Sequence, residues 1–195
     1  MEKSKTRSIA VLGIMTAVLI VVFALETLIG AFFITPPAVL SLTVLFVLCF
    51  SYDVTVGFLS GVIFGLSSLI IAWAIGNPLF ILPWISVLPR LLVGIGAYGV
   101  KSLTAKLTEN SQKRFLKDTL PYSLGAGTGI IINTLSVLLC LTFFAPEGYG
   151  NTFIGWMKLL ITVNFPIELV CAVVLTPILI KPVKRYLLKD SEKSI

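Results

Sequence analysis

The chain has no histidine in its 195 residues, and little charge of either sign, with 9 Asp and Glu against 15 Lys and Arg. Without histidine there can be no Ser-His-Asp triad, Cys-His pair, HExxH zinc site or His-held haem. Cysteine is scarce as well. Cys49, Cys140 and Cys171 each sit inside an apolar run, at spacings that match no metal or redox motif, so each reads as a small buried hydrophobe. No metal or cofactor is expected. No GxxxxGK[ST] phosphate loop occurs, so the chain carries no ATPase motor of this kind. The charged share is 12%, about half of the roughly 25% typical of soluble domains. That leaves too little polar surface to face water on all sides. What fills the chain instead is apolar: 57% hydrophobic residues and a mean hydropathy of +1.03. The solvent this composition fits is lipid. The length suits one domain, residues 1–195, and no repeat or low-complexity tract divides it.

A membrane helix needs about 20 mostly apolar residues to cross about 30 Å of hydrocarbon. Six segments are expected: roughly Ser8–Ile29, a short Ala38–Phe50, Val54–Ile75, Leu79–Val100, Leu120–Phe144 and Ile154–Ile180. Lys3, Lys5 and Arg7 precede the first run as in a signal peptide. That run is longer than a signal core and no small-residue cleavage site follows, so it reads as a retained helix. Basic residues then set the orientation. With the N-terminus inside, all but Arg90 and Lys158 of the 15 fall on cytoplasmic segments: the N-terminus, the stretch from Lys101 to Lys117, and the tail from Lys181 to Lys193. The expected fold is an all-α integral membrane protein, multi-pass in a bacterial plasma membrane, with six transmembrane helices and both termini cytoplasmic. The basic tail reads as an anchor beside anionic lipid, not as a nucleic-acid site.

Ionisable residues at membrane depth are costly and mark a site or a buried pair. Arg90, Glu168 (placed near the middle of the sixth segment) and Glu26 are the candidates, and all three fall in the outer half. Ser67, Ser68, Asn77, Asn133 and Asn164 gather at similar depth. A one-sided polar cluster suits a pocket opening outward, whereas an ion path needs polar groups at successive depths. Arg90 and Glu168 either contact a ligand or pair with each other to hold the bundle. Asn133 and Asn164 also fit interhelical hydrogen bonding, and Ser67 and Ser68 fit bonding back to the preceding helical turn. Pro83 and Pro89 precede or interrupt the fourth segment and Pro166 interrupts the sixth. In lipid the carbonyls freed by such breaks need protein or a wet cavity. Trp73, Trp84 and Trp156 fit either ring stacking or an interfacial belt. On the first helix Ala10, Gly13, Ala17 and Ala24 place small side chains on one face, which lets another helix approach closely.

Taken together these residues resemble the S component of an energy-coupling factor (ECF) transporter, over nearly the whole chain. The resemblance rests on GVIFGLSSLI at Gly61–Ile70, NPLFILPWISVLPRLLVGIGAYGV at Asn77–Val100 and GNTFIGWMKLLITVNFPIELVCAVVLTP at Gly150–Pro177. The family's AxxxA pattern on the first helix is met by Gly13 and Ala17, with Gly replacing the first Ala. The resemblance implies a subunit that captures a vitamin at the outer face and has no catalytic residues of its own. It would work with a membrane T component and two cytoplasmic ATPase subunits. The outer polar cluster would be the vitamin pocket, formed by Arg90, Glu168, Asn133, Asn164, Ser67, Ser68, Asn77, Glu26 and Trp84. The connections at Gly30–Pro37, near Asn77 and at Gly148–Thr152 would lid it, and the face of Ala10, Gly13 and Ala17 would dock on the T component.

GLSSLI, SVLPRLL and NFPIELV look most like the pantothenate-type branch. Arg90 can grip a carboxylate through two parallel hydrogen bonds. Glu168 and Glu26 oppose a carboxylate, which keeps a neutral or cationic pyridoxine-type compound, or riboflavin, as the alternative. From other classes, an intramembrane hydrolase or lipid transferase would need a nucleophile with a base or a carboxylate cluster. A self-sufficient carrier or channel would need no partner chains.

Overall fold

The structure, a computed structural model, describes residues 2–30, 38–144, 153–159 and 165–188; within these, the side chains of residues 2–11, 30, 153, 156, 159 and 186–188 are left undescribed. All described elements are helices: α1 (Glu2–Gly30), α2 (Val39–Ser51), α3 (Val54–Ile75), α4 (Pro83–Ser86), α5 (Leu88–Thr108), α6 (Arg114–Asp118), α7 (Leu120–Phe144), α8 (Phe153–Leu159) and α9 (Phe165–Leu188). Among the described residues five stretches are long and apolar enough to cross a membrane: Leu12–Ile29, Val54–Ile75, Pro83–Thr108, Leu120–Phe144 and Phe165–Arg185. The chain is a multi-span helical membrane protein.

The third and fifth segments coincide with the helices expected at Val54–Ile75 and Leu120–Phe144. The others differ for identifiable reasons. The second is only 13 residues long, roughly 20 Å at 1.5 Å per residue, well short of a bilayer core. It is the most enclosed helix, with Ser41–Thr43 and Leu45–Phe50 all buried. The fourth begins at Pro83, later than Leu79, and is interrupted at Val87. The apolar run expected as one sixth helix is divided between α8 and α9, so Glu168 stands in the first turn of a helix and not at its middle. Pro83 is the first residue of α4, while Pro89 and Pro166 are the second of α5 and α9. There the missing N–H has no intrahelical partner to lose. These prolines open helices and do not kink them. The prolines inside α9 are Pro177 and Pro182.

Contacts fix the running directions. Gly57 of α3 meets Gly94 of α5 while Gly65 meets Val87, so α3 and α5 are antiparallel. Ser123 Oγ on α7 donates to Val173 O on α9 (3.0 Å), and Gly127 also faces Val173 and Leu169. α2 and α3 are joined through Tyr52 and Asp53, with Asp53 Oδ1 accepting from Val56 N (3.0 Å) as the N-cap of α3. The buried core runs along α2, from Leu42 to Phe50, and gathers Leu19, Phe64, Val93, Ala97, Ala126 and Ile130 around it. A second cluster, Ile85 with Val137, Leu138 and Leu141, lies where α4 meets α7.

The outward surface is the reverse of a soluble protein's. Ile70, Trp73, Val170, Leu107 and Phe143 are each more than 60% exposed. Contiguous apolar surface of this kind has no place in water and is what lipid tails cover.

Backbones come closest between α3 and α5. A Cβ added at Gly61 would stand 2.6 Å from Arg90 O, and one at Gly94 would stand 2.4 Å from Gly57 O. Gly57, Gly61 and Gly65, spaced by four, form one flat stripe that admits the partner backbone. This stripe sets where α5 starts, and therefore where Arg90 lies.

Candidate functional site

α1, α3 and α7 end at the same pole of the bundle, and α2, α5 and α9 begin there. Between them is a cavity of about 140 Å³, lined by residues that include Thr27, Ala38, Ser68, Asn77, Phe80, Arg90, Asn133, Thr134, Phe165 and Glu168. One water needs roughly 10–15 Å³ on this measure, so the space suits a small molecule. Phe23, Ile71, Ala72, Ile75 and Val137 complete apolar walls around these polar groups, the usual make-up of a small-molecule site.

Arg90 is in the first turn of α5 and only 7% exposed. Its Nη1 donates to Ile85 O (2.9 Å) in α4. Its guanidinium lies 5.4 Å from the Phe80 ring centroid and 5.8 Å from that of Phe64, a favourable placement for a cation over aromatic faces. Its Nε is buried and has no hydrogen-bond partner. Among the described residues no carboxylate forms an ion pair with it. The charges of Arg90 and Glu168 still attract across the cavity.

The two membrane carboxylates have a shared task that their sequence positions do not reveal. The first N–H groups of any helix lack intrahelical partners, and in lipid such groups are costly. At the start of α2, Glu168 Oε1 accepts from Ala38 N (3.0 Å), while Glu26 Oε1 and Oε2 accept from Leu40 N (2.5 Å) and Ser41 N (3.1 Å). Thus α1 and α9 each send one carboxylate to cap the short central helix, where the positive end of the helix dipole also favours them. Glu26 is fully used in this way and does not line the cavity. Glu168 lines it, and its second oxygen makes no hydrogen bond and is not occluded.

Asn133, on α7, lines the cavity with a buried Oδ1 that no protein group satisfies. Ser68 also lines it and makes no hydrogen bond. Asn77 Oδ1 accepts from Leu79 N (3.1 Å), and its N–H donates to Ala72 O (2.9 Å) just beyond Gly76, whose φ of 70° ends α3. The connection that follows is tied down by Trp73 Nε1 donating to Ile81 O (3.3 Å) and by Ser86 Oγ donating to Phe80 O.

Other expected site residues lie elsewhere. Ser67 is buried, but its hydroxyl donates to Ile63 O (2.8 Å) one turn back and it is not a lining residue. Trp84 is 58% exposed on α4, away from the cavity, because the break at Val87 gives α4 its own facing. Asn164 and the connections at 31–37 and 145–152 lie outside the described residues, as does the side chain of Ala10. Gly13 and Ala17 face outward, and a Cβ at Gly13 would meet nothing within 4 Å. Sequence reasoning missed Phe64, Phe80 and Thr134. It also passed over Gly57, Gly61 and Gly65, although the four-residue spacing of these glycines was a usable signal.

Comparison with protein-family models, curated proteins and solved structures finds no match. The functional reading therefore rests on the cavity itself.

Proposed function

We propose that the chain is the substrate-binding S component of an ECF-type importer, crossing the membrane six times with both termini in the cytoplasm. It takes a vitamin carrying a carboxylate, with pantothenate the best fit, from the outer face. A T component and two ATPase subunits supply the energy for release inside. In this reading the short α2 is the second of the six crossings.

The observation that carries the reading is the buried Arg90 guanidinium, left without an ion-pair partner among the described residues and with a free Nε at the wall of a partly open cavity. A permanent cation in such a place is costly unless an anion joins it, and guanidinium suits carboxylate. The first turns of α5 and α9 border the cavity and add positive potential, while the start of α2 is already met by Glu26 and Glu168. The objection that two carboxylates repel an acid falls mainly on Glu168, because Glu26 caps α2 and does not line the cavity. The free oxygen of Glu168, Asn133 and Ser68 then suit the hydroxyl and amide groups that pantothenate offers. A pyridoxine-type ligand is the alternative and would use Glu168 in place of Arg90.

Reconstitution in liposomes tests the reading. Radiolabelled vitamin should accumulate only when the T component, both ATPases and ATP are present. Uptake by the chain alone under an ion gradient would instead mark a self-sufficient carrier.

A further inference from the structure

The opposite pole of the bundle holds a second cluster of unpaired charge. Lys101 on α5 is four residues beyond the fully buried Ala97, and Lys184 on α9 is four beyond the fully buried Ile180. Both therefore continue core-facing lines of their helices. They converge on Tyr122 near the start of α7, itself packed against Phe50 at the end of α2. Lys184 Nζ donates to Tyr122 Oη (2.6 Å) and lies 4.8 Å from the ring centroid. Lys101 Nζ lies 5.9 Å from the same centroid and 5.0 Å from that of Tyr98. The two ammonium groups repel one another. Among the described residues neither has a carboxylate partner, and the ion pair at this pole is Arg114 with Asp118 (3.2 Å), on α6. Lys101 makes no hydrogen bond at all.

The geometry points to an anion site between Lys101 and Lys184, occupied by the phosphate of an anionic phospholipid headgroup. Two like charges held together by separate helices are stabilised by one shared anion, and a phosphate offers several acceptor oxygens to bridge them. The position favours lipid as the source. The cluster lies at the end of the apolar spans, beside exposed Lys181 and Arg185, where basic pockets between membrane helices meet headgroups. The inference is independent of what the far cavity binds.

Native mass spectrometry and melting curves of the purified protein in neutral detergent provide the test, with phosphatidylglycerol, phosphatidylcholine or inorganic phosphate added. Wild type should retain phosphatidylglycerol about tenfold more than phosphatidylcholine and melt higher with it, as expected for one charge-assisted contact. Lys101→Gln, which removes a charge but no hydrogen bond, should abolish the preference. Lys101→Arg should retain it, and so should Lys106→Gln on the exposed side of the same helix. Lys184→Gln provides a second loss-of-charge variant if the first fails to fold. An unchanged preference in Lys101→Gln or Lys184→Gln would overturn the inference. So would equal retention of the two lipids, or equal stabilisation by inorganic phosphate.

Discussion

The two poles of the bundle treat polar groups in opposite ways. At the pole where α6 lies, charge is abundant and mostly faces water. Lys106, Lys113, Lys117, Lys181 and Arg185 are exposed, and Arg114 pairs with Asp118 on the surface. Hydroxyls there find backbone partners, Ser51 Oγ at Val47 O (2.6 Å), Thr108 Oγ1 at Thr104 O (2.8 Å) and Ser123 Oγ at Val173 O on α9 (3.0 Å). At the cavity pole charge is sparse but enclosed, and two buried polar atoms of its lining, Arg90 Nε and Asn133 Oδ1, have no protein partner, beside the accessible Ser68 Oγ and one accessible oxygen of Glu168; the other buried atom so left among the described residues is Thr176 Oγ1 on α9. Buried polar atoms are nearly always satisfied in native structures, so a group of orphans in one space asks for an explanation. A ligand that supplies the missing partners is the explanation adopted here. Charge by itself therefore says little about function in this chain; what separates the poles is that the unmet charge is buried at one, in Arg90, and only half-buried at the other, in Lys101 and Lys184.

The same contrast arranges the expected effects of mutation. Arg90→Ala should have the largest, weakening a carboxylate ligand by roughly 30–150-fold, the equivalent of about 2–3 kcal/mol for charge-assisted hydrogen bonds. A neutral analogue, the corresponding alcohol, should change by no more than about threefold, and titration calorimetry with both compounds separates the outcomes. Equal loss for both would make Arg90 a structural cation. Without ligand, Arg90→Met should melt no lower than wild type, since an apolar side chain in place of an unpaired buried charge is often neutral or stabilising.

Next is Gly61→Leu. Its side chain has no room against Arg90 O, so α5 must move. Overpacking of this kind costs about 1–3 kcal/mol, and because Arg90 moves with the backbone, ligand affinity should fall together with the melting temperature. A fall in stability with affinity intact would show that the α3–α5 contact does not position Arg90.

Glu26→Ala should be milder and purely structural. Losing a helix cap costs about 0.5–2 kcal/mol, read as a lower melting temperature, while affinity stays within about threefold. A large loss of affinity in a protein that still melts normally would return Glu26 to the binding site. The smallest effect belongs to Trp84→Ala. An exposed residue away from such features changes stability by about 0.5 kcal/mol or less, and binding should match wild type in the same calorimetric assay.

Much of the fold was legible in the sequence because a membrane imposes one dominant period and length. Val54–Ile75 is bounded by Asp53 and Gly76, where hydropathy and capping chemistry agree, and Leu120–Phe144 follows from hydropathy. Hydropathy alone did not mark where apolar runs are divided among helices. Leu79–Val100 and Ile154–Ile180 read as unbroken runs, yet α4 and α5 are separated at Val87, and α8 is distinct from α9.

The site was legible in depth but not in role. Arg90, Asn133, Ser68, Asn77 and Glu168 all line the cavity. What sets Glu26 apart from Glu168 is a tertiary fact: the N–H groups of Ala38, Leu40 and Ser41 need acceptors, and one acceptor comes from 130 residues away. Trp84 illustrates the same limit: Pro83 and Pro89 marked an interruption there, but not which way the short α4 faces. Ser67 and Ser68 are adjacent and equally polar, yet only Ser68 faces the cavity, because successive residues on a helix point in different directions.

The most direct measurement of the central claim is the identity of the small molecule that stays with the wild-type protein when it is purified from membranes, read by mass spectrometry after denaturation. The account predicts one carboxylate-bearing vitamin per chain, retained without ATP and lost from Arg90→Ala prepared in parallel. A wild-type protein that retains no small molecule, and binds none from a vitamin panel by calorimetry, would contradict it.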